Sequence, residues 1–225
     1  MREVDDALRE DQLKSVLTRY GKPIGGAIAV GLLALAGYLW WDGAAKQEAA
    51  ERSEQAIIAL DKLDAGNLPA AYADLEPLTR EGSDGSKAAA AMTRAAILVQ
   101  QGRTEDGAKA FAAIAADASA PQAFRDLAAV REVSLRFDAM PPQQVIDRLK
   151  PLAVPGSPWF GSAGELVGMA YLKLGKPDQA GTLFAAIGKN EDVPNTLRTR
   201  MRQVAGQLGY EAGTDDIEAP AAAQQ

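Results

Sequence analysis

The sequence contains no cysteine and no histidine. Without cysteine the chain forms no disulfide and has no thiolate nucleophile, which is compatible with an oxidising compartment. Without histidine it lacks the commonest general base, and neither a Ser-His-Asp nor a Cys-His arrangement can be built. A zinc site would have to use carboxylates alone. We therefore expect no catalytic residues, no cofactor and no metal site.

Clustered positive charge is also missing. The chain has 24 lysine and arginine residues against 30 aspartate and glutamate residues, which gives a formal net charge of -6. Residues 1–22 contain five basic and five acidic side chains, so the excess of negative charge lies after them. Phosphate binding needs clustered lysine and arginine. This composition argues against nucleic acid as a partner.

One long apolar run is present, from Pro23 to Trp41, 19 residues without a charge. At the α-helical rise it spans about 28 Å, close to the thickness of the hydrocarbon layer. Aromatic residues typical of membrane interfaces lie at its two ends: Tyr20, Tyr38, Trp40 and Trp41. We predict a transmembrane helix at residues 23–41.

The charges that flank this run predict its orientation. Lys14, Arg19 and Lys22 precede it, whereas Asp42 and Glu48 follow it. The positive-inside rule then places residues 1–22 in the cytoplasm and the rest of the chain outside it. A cleaved signal peptide is the alternative, with a weak cleavage site at residues 43–45, but its apolar region would be shorter.

The remaining sequence repeats. The tetrapeptide Phe-Ala-Ala-Ile occurs at residues 111–114 and again at 184–187, and Leu-x-Pro-Leu occurs at residues 75–78 and again at 149–152. The two sets interleave, which indicates four units of about 36 residues each. In the third unit Met140 stands where the other units have glycine.

Each unit predicts two antiparallel helices, because its apolar residues recur with the helical period, as at Ala180, Phe184 and Ile187. Glycine stands where the first helix should end, and proline where the second should begin. We predict an all-α fold, a short right-handed solenoid of about four hairpins at residues 44–209, closed by a helix at 197–208 and followed by a disordered tail at 210–225. The predicted packing residues are Gly66, Gly102, Phe111, Gly168, Tyr171, Gly175, Ala180 and Phe184.

The order of small, large apolar, glycine, alanine, aromatic and proline positions resembles the tetratricopeptide repeat over residues 45–194. Together with the predicted anchor, the chain resembles the bacterial YfgM-type family, the ancillary subunit of the SecYEG translocon, most closely at residues 159–166 and 171–176. This resemblance implies an inner-membrane anchor, a periplasmic repeat domain, no catalysis, and the Sec translocon and periplasmic folding factors as partners.

Two further segments contain residue types that occur at binding sites. Trp159 and Phe160 follow a Ser-Pro pair at a predicted helix start, and we consider both as candidate partner contacts. The loop at 82–87 lacks the spacing of a phosphate loop and predicts a flexible turn, with Ser86 capping the next helix. We expect a non-catalytic scaffold. The alternatives are an assembly factor for cell-envelope or respiratory complexes, and a membrane-tethered hydrolase using serine and lysine or paired carboxylates.

Overall fold

The computed structural model describes residues 46–211. The chain divides into two units between Glu54 and Gln55, and the described part of the first unit, residues 46–54, is helical. No helix among residues 46–211 has the length and hydropathy that a membrane span requires. The predicted arm at 1–22, the predicted span at 23–41 with Tyr20, Tyr38, Trp40 and Trp41, and residues 212–225 of the predicted tail lie outside the described residues.

The second unit is helical throughout its described part, and no strand occurs between residues 55 and 211. Helix α1 covers residues 55–64, and a single 3-10 turn, Pro77–Thr79, follows α2. The remaining helices are α2 (Leu68–Asp74), α3 (Asp84–Gln100), α4 (Thr104–Ala116), α5 (Gln122–Arg136), α6 (Pro142–Leu149), α7 (Phe160–Lys173), α8 (Pro177–Lys189) and α9 (Asn195–Gln207). This sequence of helix pairs confirms the predicted all-α class.

The turns inside three of the four pairs have the same geometry. Gly66, Gly102 and Gly175 have φ angles of 76°, 78° and 68°, in the left-handed region that favours glycine. After Gly175 the N–H of Lys176 donates to the carbonyl of Tyr171 at 2.9 Å. Such a bond satisfies a carbonyl that the end of a helix leaves free. The chain therefore reverses here within three residues.

The third pair turns differently. The N–H groups of Ala139 and Met140 both donate to the carbonyl of Arg136, at 2.9 and 2.8 Å, and no residue other than glycine has positive φ between residues 46 and 211. Met140 is 9% exposed and packs among the apolar residues of α5, α6 and α7. The position that other units give to a left-handed glycine is occupied here by a core side chain.

Small residues set the distance between α7 and α8. A Cβ atom added to Gly168 would lie 2.3 Å from Cε1 of Phe184, so the ring lies directly on the backbone of α7. Phe184 and Ala180 are fully buried, and Tyr171 packs half-buried against the same cluster. In the second pair Phe111 is 4% exposed and packs against α3 and α5.

The end of the domain lies beyond the predicted boundary at Gly209. Helix α9 ends at Gln207, and Tyr210 then folds back onto α8. A Cβ atom on Gly181 would lie 2.2 Å from the ring of Tyr210, whose hydroxyl donates to Oδ1 of Asp178 at 3.0 Å. Desolvation and this bond raise the pKa of Tyr210. The sequence places Tyr210 in the predicted tail, but its ring packs against the cluster of α8 and α9.

Candidate protein-interaction surface

The first helices of the pairs share one exposed repeat position. The small or β-branched residues Ala59, Ala95, Val133 and Gly168 occupy one repeat position and are buried. The next residue in each helix is exposed, and in two units it is a large apolar residue: Leu60 at 45% and Met169 at 41%. Two positions before the buried residue, Ile57 is 59% exposed. We call this side of α1, α3, α5 and α7 the A-helix face.

A groove of about 380 Å³ opens on this face between α3 and α5. Phe111 of α4, which is 4% exposed, also lines the groove, because α4 packs against both α3 and α5. The apolar residues that line the groove are Met92, Ala96, Val99, Phe111, Leu127 and Leu135. Apolar side chains that remain partly open to solvent in a concave site are typical of binding surfaces.

Arg131 is the one charged residue that lines the groove. It is exposed, and its side chain has no hydrogen bond or ion pair with any described residue. Seven other arginines among residues 46–211 pair with carboxylates: Arg52, Arg80, Arg94, Arg103, Arg136, Arg148 and Arg200. The groove thus combines an apolar lining with an uncompensated positive charge. It is suited to an apolar protein segment that carries a carboxylate.

The residue after Arg131 forms a buried charged network. Glu132 is 1% exposed; it pairs with Arg148 of α6, and one of its oxygens lies 3.5 Å from Nη1 of Arg136. Arg136 also donates from Nε to Oε2 of Glu105 at 3.2 Å, which lowers the pKa of the Glu105 carboxyl and raises that of Arg136. These four charges neutralise one another. The network therefore ties α4, α5 and α6 together, and Arg131 takes no part in it.

The two aromatic residues predicted as partner contacts are placed differently. Trp159 is half-buried, with part of its ring against the cluster of α5, α6 and α7. Phe160 is 2% exposed and packs against α8 and α9. This corrects the prediction for Phe160, because a side chain that fills the core is not available to a partner.

The loop at 82–87 forms the start of α3. The Oγ atom of Ser83 accepts a hydrogen bond from the N–H of Ser86 at 3.2 Å, so Ser83 is the capping residue and the prediction for Ser86 was wrong by three positions. No group of three or more acidic residues within the described part of the chain is arranged to hold a metal ion.

The repeat pattern in the sequence does not predict the groove, because that pattern is defined by buried positions and the groove is lined mainly by partly exposed ones. A usable signal was present, because the residue next to each buried small residue is Leu60, Ala96, Ser134 or Met169. Large apolar residues at two of these four positions already indicate a face that is not ordinary solvated surface. The free charge of Arg131 had no such signal, since pairing depends on tertiary contacts.

A comparison with protein-family models matches residues 14–205 to the model described as Tetratricopeptide repeat-like domain. Comparisons with curated proteins and with solved structures found no significant match. The matched region is well over half of the chain and contains all four helix pairs, in agreement with the repeat geometry described above. The chain belongs to the tetratricopeptide repeat-like domain family.

Proposed function

We propose that this chain is a non-catalytic protein-interaction scaffold whose groove between α3 and α5 receives a segment of a partner protein. The observation that carries the proposal is the groove itself, an apolar lining with the unpaired Arg131 at its edge. Membership of the tetratricopeptide repeat-like domain family supports it, because such domains typically act as protein-interaction modules without catalysis.

We further propose that the partner belongs to the Sec translocon or to its periplasmic folding factors, and that the domain is periplasmic on an inner-membrane anchor. The uncharged run at 23–41 and its basic N-terminal flank support the anchor and its orientation. The YfgM-type pattern at residues 159–166 and 171–176 supports the choice of partner. Confinement to the membrane plane would raise the effective concentration of scaffold and partner without new contacts.

A photo-crosslinking experiment tests the groove and the partner together. A photo-crosslinking amino acid replaces Ala96, which is exposed on the wall of the groove, in the full chain in its native membrane. Adducts identified by mass spectrometry are expected to contain a Sec translocon subunit or a periplasmic folding factor. Arg131→Glu, which reverses the free charge, should lower the adduct yield about fivefold or more.

The matched control is the same amino acid at Ala113, which is exposed on α4 and does not line the groove. Equal yields from Ala96 and Ala113, or a yield unaffected by Arg131→Glu, would contradict docking in the groove. Adducts with respiratory or cell-wall complexes alone would replace the translocon assignment with the assembly-factor function.

Topology is tested separately with a reporter that is active only outside the cytoplasm. We expect activity when it is fused after Gln225 and none when it is fused before Met1, because Lys14, Arg19 and Lys22 keep the N-terminal side in the cytoplasm. Arg19→Glu with Lys22→Glu should reduce the activity of the C-terminal fusion. The reverse pattern of activities would disprove the periplasmic assignment.

A further inference from the structure

A second cavity, of about 350 Å³, lies at the N-terminal end of α7. It opens between the loop that precedes α7 and the loop that joins α8 to α9. Its apolar lining includes the side chains of Pro158, Trp159, Pro194 and Leu197. These residues come from two segments more than 30 residues apart, so the cavity exists only because α7 packs against α9.

The cavity is held in shape by local contacts. The N–H of Trp159 donates to Oγ of Ser157 at 3.2 Å, and the N–H of Phe160 donates to the carbonyl of Ser157 at 3.0 Å. A Cβ atom added to Gly161 would lie 2.8 Å from Cδ2 of Leu197, so the side chain of Leu197 packs directly on the backbone of α7. The hydrogen bonds hold the backbone at Trp159, and its ring packs against the cluster of α5, α6 and α7. The side chain is therefore held in place before a partner binds, which lowers the entropic cost of binding.

The electrostatics of this cavity differ from those of the groove. Asp192 is its one charged lining residue, and the carboxylate has no ion pair or hydrogen bond with the described residues. The adjacent Glu191 is also exposed and unpaired. The N–H of Asp192 donates to Oδ1 of Asn190 at 2.9 Å, so the loop is an ordered turn. Lys189, the nearest basic residue in the chain, does not line the cavity.

We propose that this cavity is a second docking site, for an apolar protein segment that carries a lysine or arginine. The apolar residues of the segment pack on Trp159 and Pro194, and its basic side chain pairs with Asp192. Tryptophan beside a preformed cavity is the residue type that most often anchors protein interfaces, and a charge at the rim sets which partner is accepted. The two sites carry charges of opposite sign, so each one selects a different segment. This goes beyond the proposed function, which rests on the groove alone.

Fluorescence of Trp159 tests the proposal directly. The sequence has three tryptophans, so in the full chain with Trp40→Phe and Trp41→Phe the emission comes from Trp159 alone. The protein in detergent micelles is titrated with short synthetic peptides of leucine, alanine and proline that differ only in a central lysine, glutamine or glutamate. We expect the lysine peptide to shift the emission and to bind about three- to fivefold more tightly than the glutamine peptide. The preference should disappear at about 1 M salt, because exposed charges are then screened.

Asp192→Asn provides the decisive comparison, since it removes the charge from an exposed loop residue and keeps its shape. It should abolish the lysine preference and leave the affinity for the glutamine peptide unchanged. The matched control is Asp64→Asn, at an exposed and unpaired residue of α1, which should leave the preference intact. A lysine preference that survives Asp192→Asn, a preference for the glutamate peptide, or emission that no peptide alters would overturn the proposal.

Discussion

Phe184→Ala is expected to lower the free energy of unfolding of the repeat domain by about 3–5 kcal/mol. The side chain is fully buried and fills the space between α7, α8 and α9, where it contacts the backbone at Gly168. Removing the ring therefore loses its apolar burial and leaves a cavity in a cluster that cannot close around it. The measurement is denaturant unfolding of the chain in detergent micelles, followed by far-ultraviolet circular dichroism.

The close contact between Phe184 and Gly168 supplies a matched set of controls. Gly168→Ala places a methyl group 2.3 Å from the ring and should cost about 1–3 kcal/mol by overpacking. In the background of Phe184→Leu the same methyl group has room, so the double variant should be more stable than the sum of the two single effects predicts. Strictly additive effects would show that the two residues are not in contact.

Glu132→Ala is expected to cost about 3 kcal/mol, because it leaves Arg136 and Arg148 without the carboxylate that they share. The value lies at the low end for a broken buried pair, since the two arginine side chains are 26% and 35% exposed and water can solvate them. The same unfolding measurement applies. We expect Glu132→Met combined with Arg148→Met to recover more than half of the loss, because it removes the buried charge together with its main partner.

The control for this prediction is Glu105→Ala, which breaks the outer ion pair with Arg136. Glu105 is exposed and its ion pair is accessible to water, so its loss should lower the free energy of unfolding much less than Glu132→Ala does. If Glu105→Ala and Glu132→Ala had equal effects, burial of Glu132 would not be what makes the network important.

The parts of the fold that depend on local geometry were predictable from the sequence. Helix α4 at 104–116 and helix α8 at 177–189 have the same length and lie at the same offset as the repeated Phe-Ala-Ala-Ile motif. Gly102 and Gly175 end the preceding helices in the left-handed conformation. Helical period, glycine turns and first-turn prolines act within a few residues, so one sequence contains the information needed to recognise them.

The parts that depend on distant contacts were not predictable. Trp159 and Phe160 are adjacent and similar in type, and only the packing of α8 and α9 determines that Phe160 points into the core. The tail assignment of Tyr210 followed from the acidic and alanine-rich residues after it, whereas its position depends on the space that Gly181 leaves on α8. The free charge of Arg131 likewise follows from which carboxylates its neighbours occupy.

Contacts between helices follow the order of the chain: α3 packs on α4, α4 on α5, α6 on α7, α7 on α8 and α8 on α9. Such short-range contacts favour fast folding, because little loop entropy is lost before each contact forms. A chain that emerges from a narrow channel with its N-terminal side first can therefore complete its helix pairs in the order in which they appear. The apolar cluster around Phe184 forms after the others along the described chain, because it includes Met201 and Ala205 of α9. A chain halted before residue 195 would therefore present the apolar side chains of that cluster to solvent.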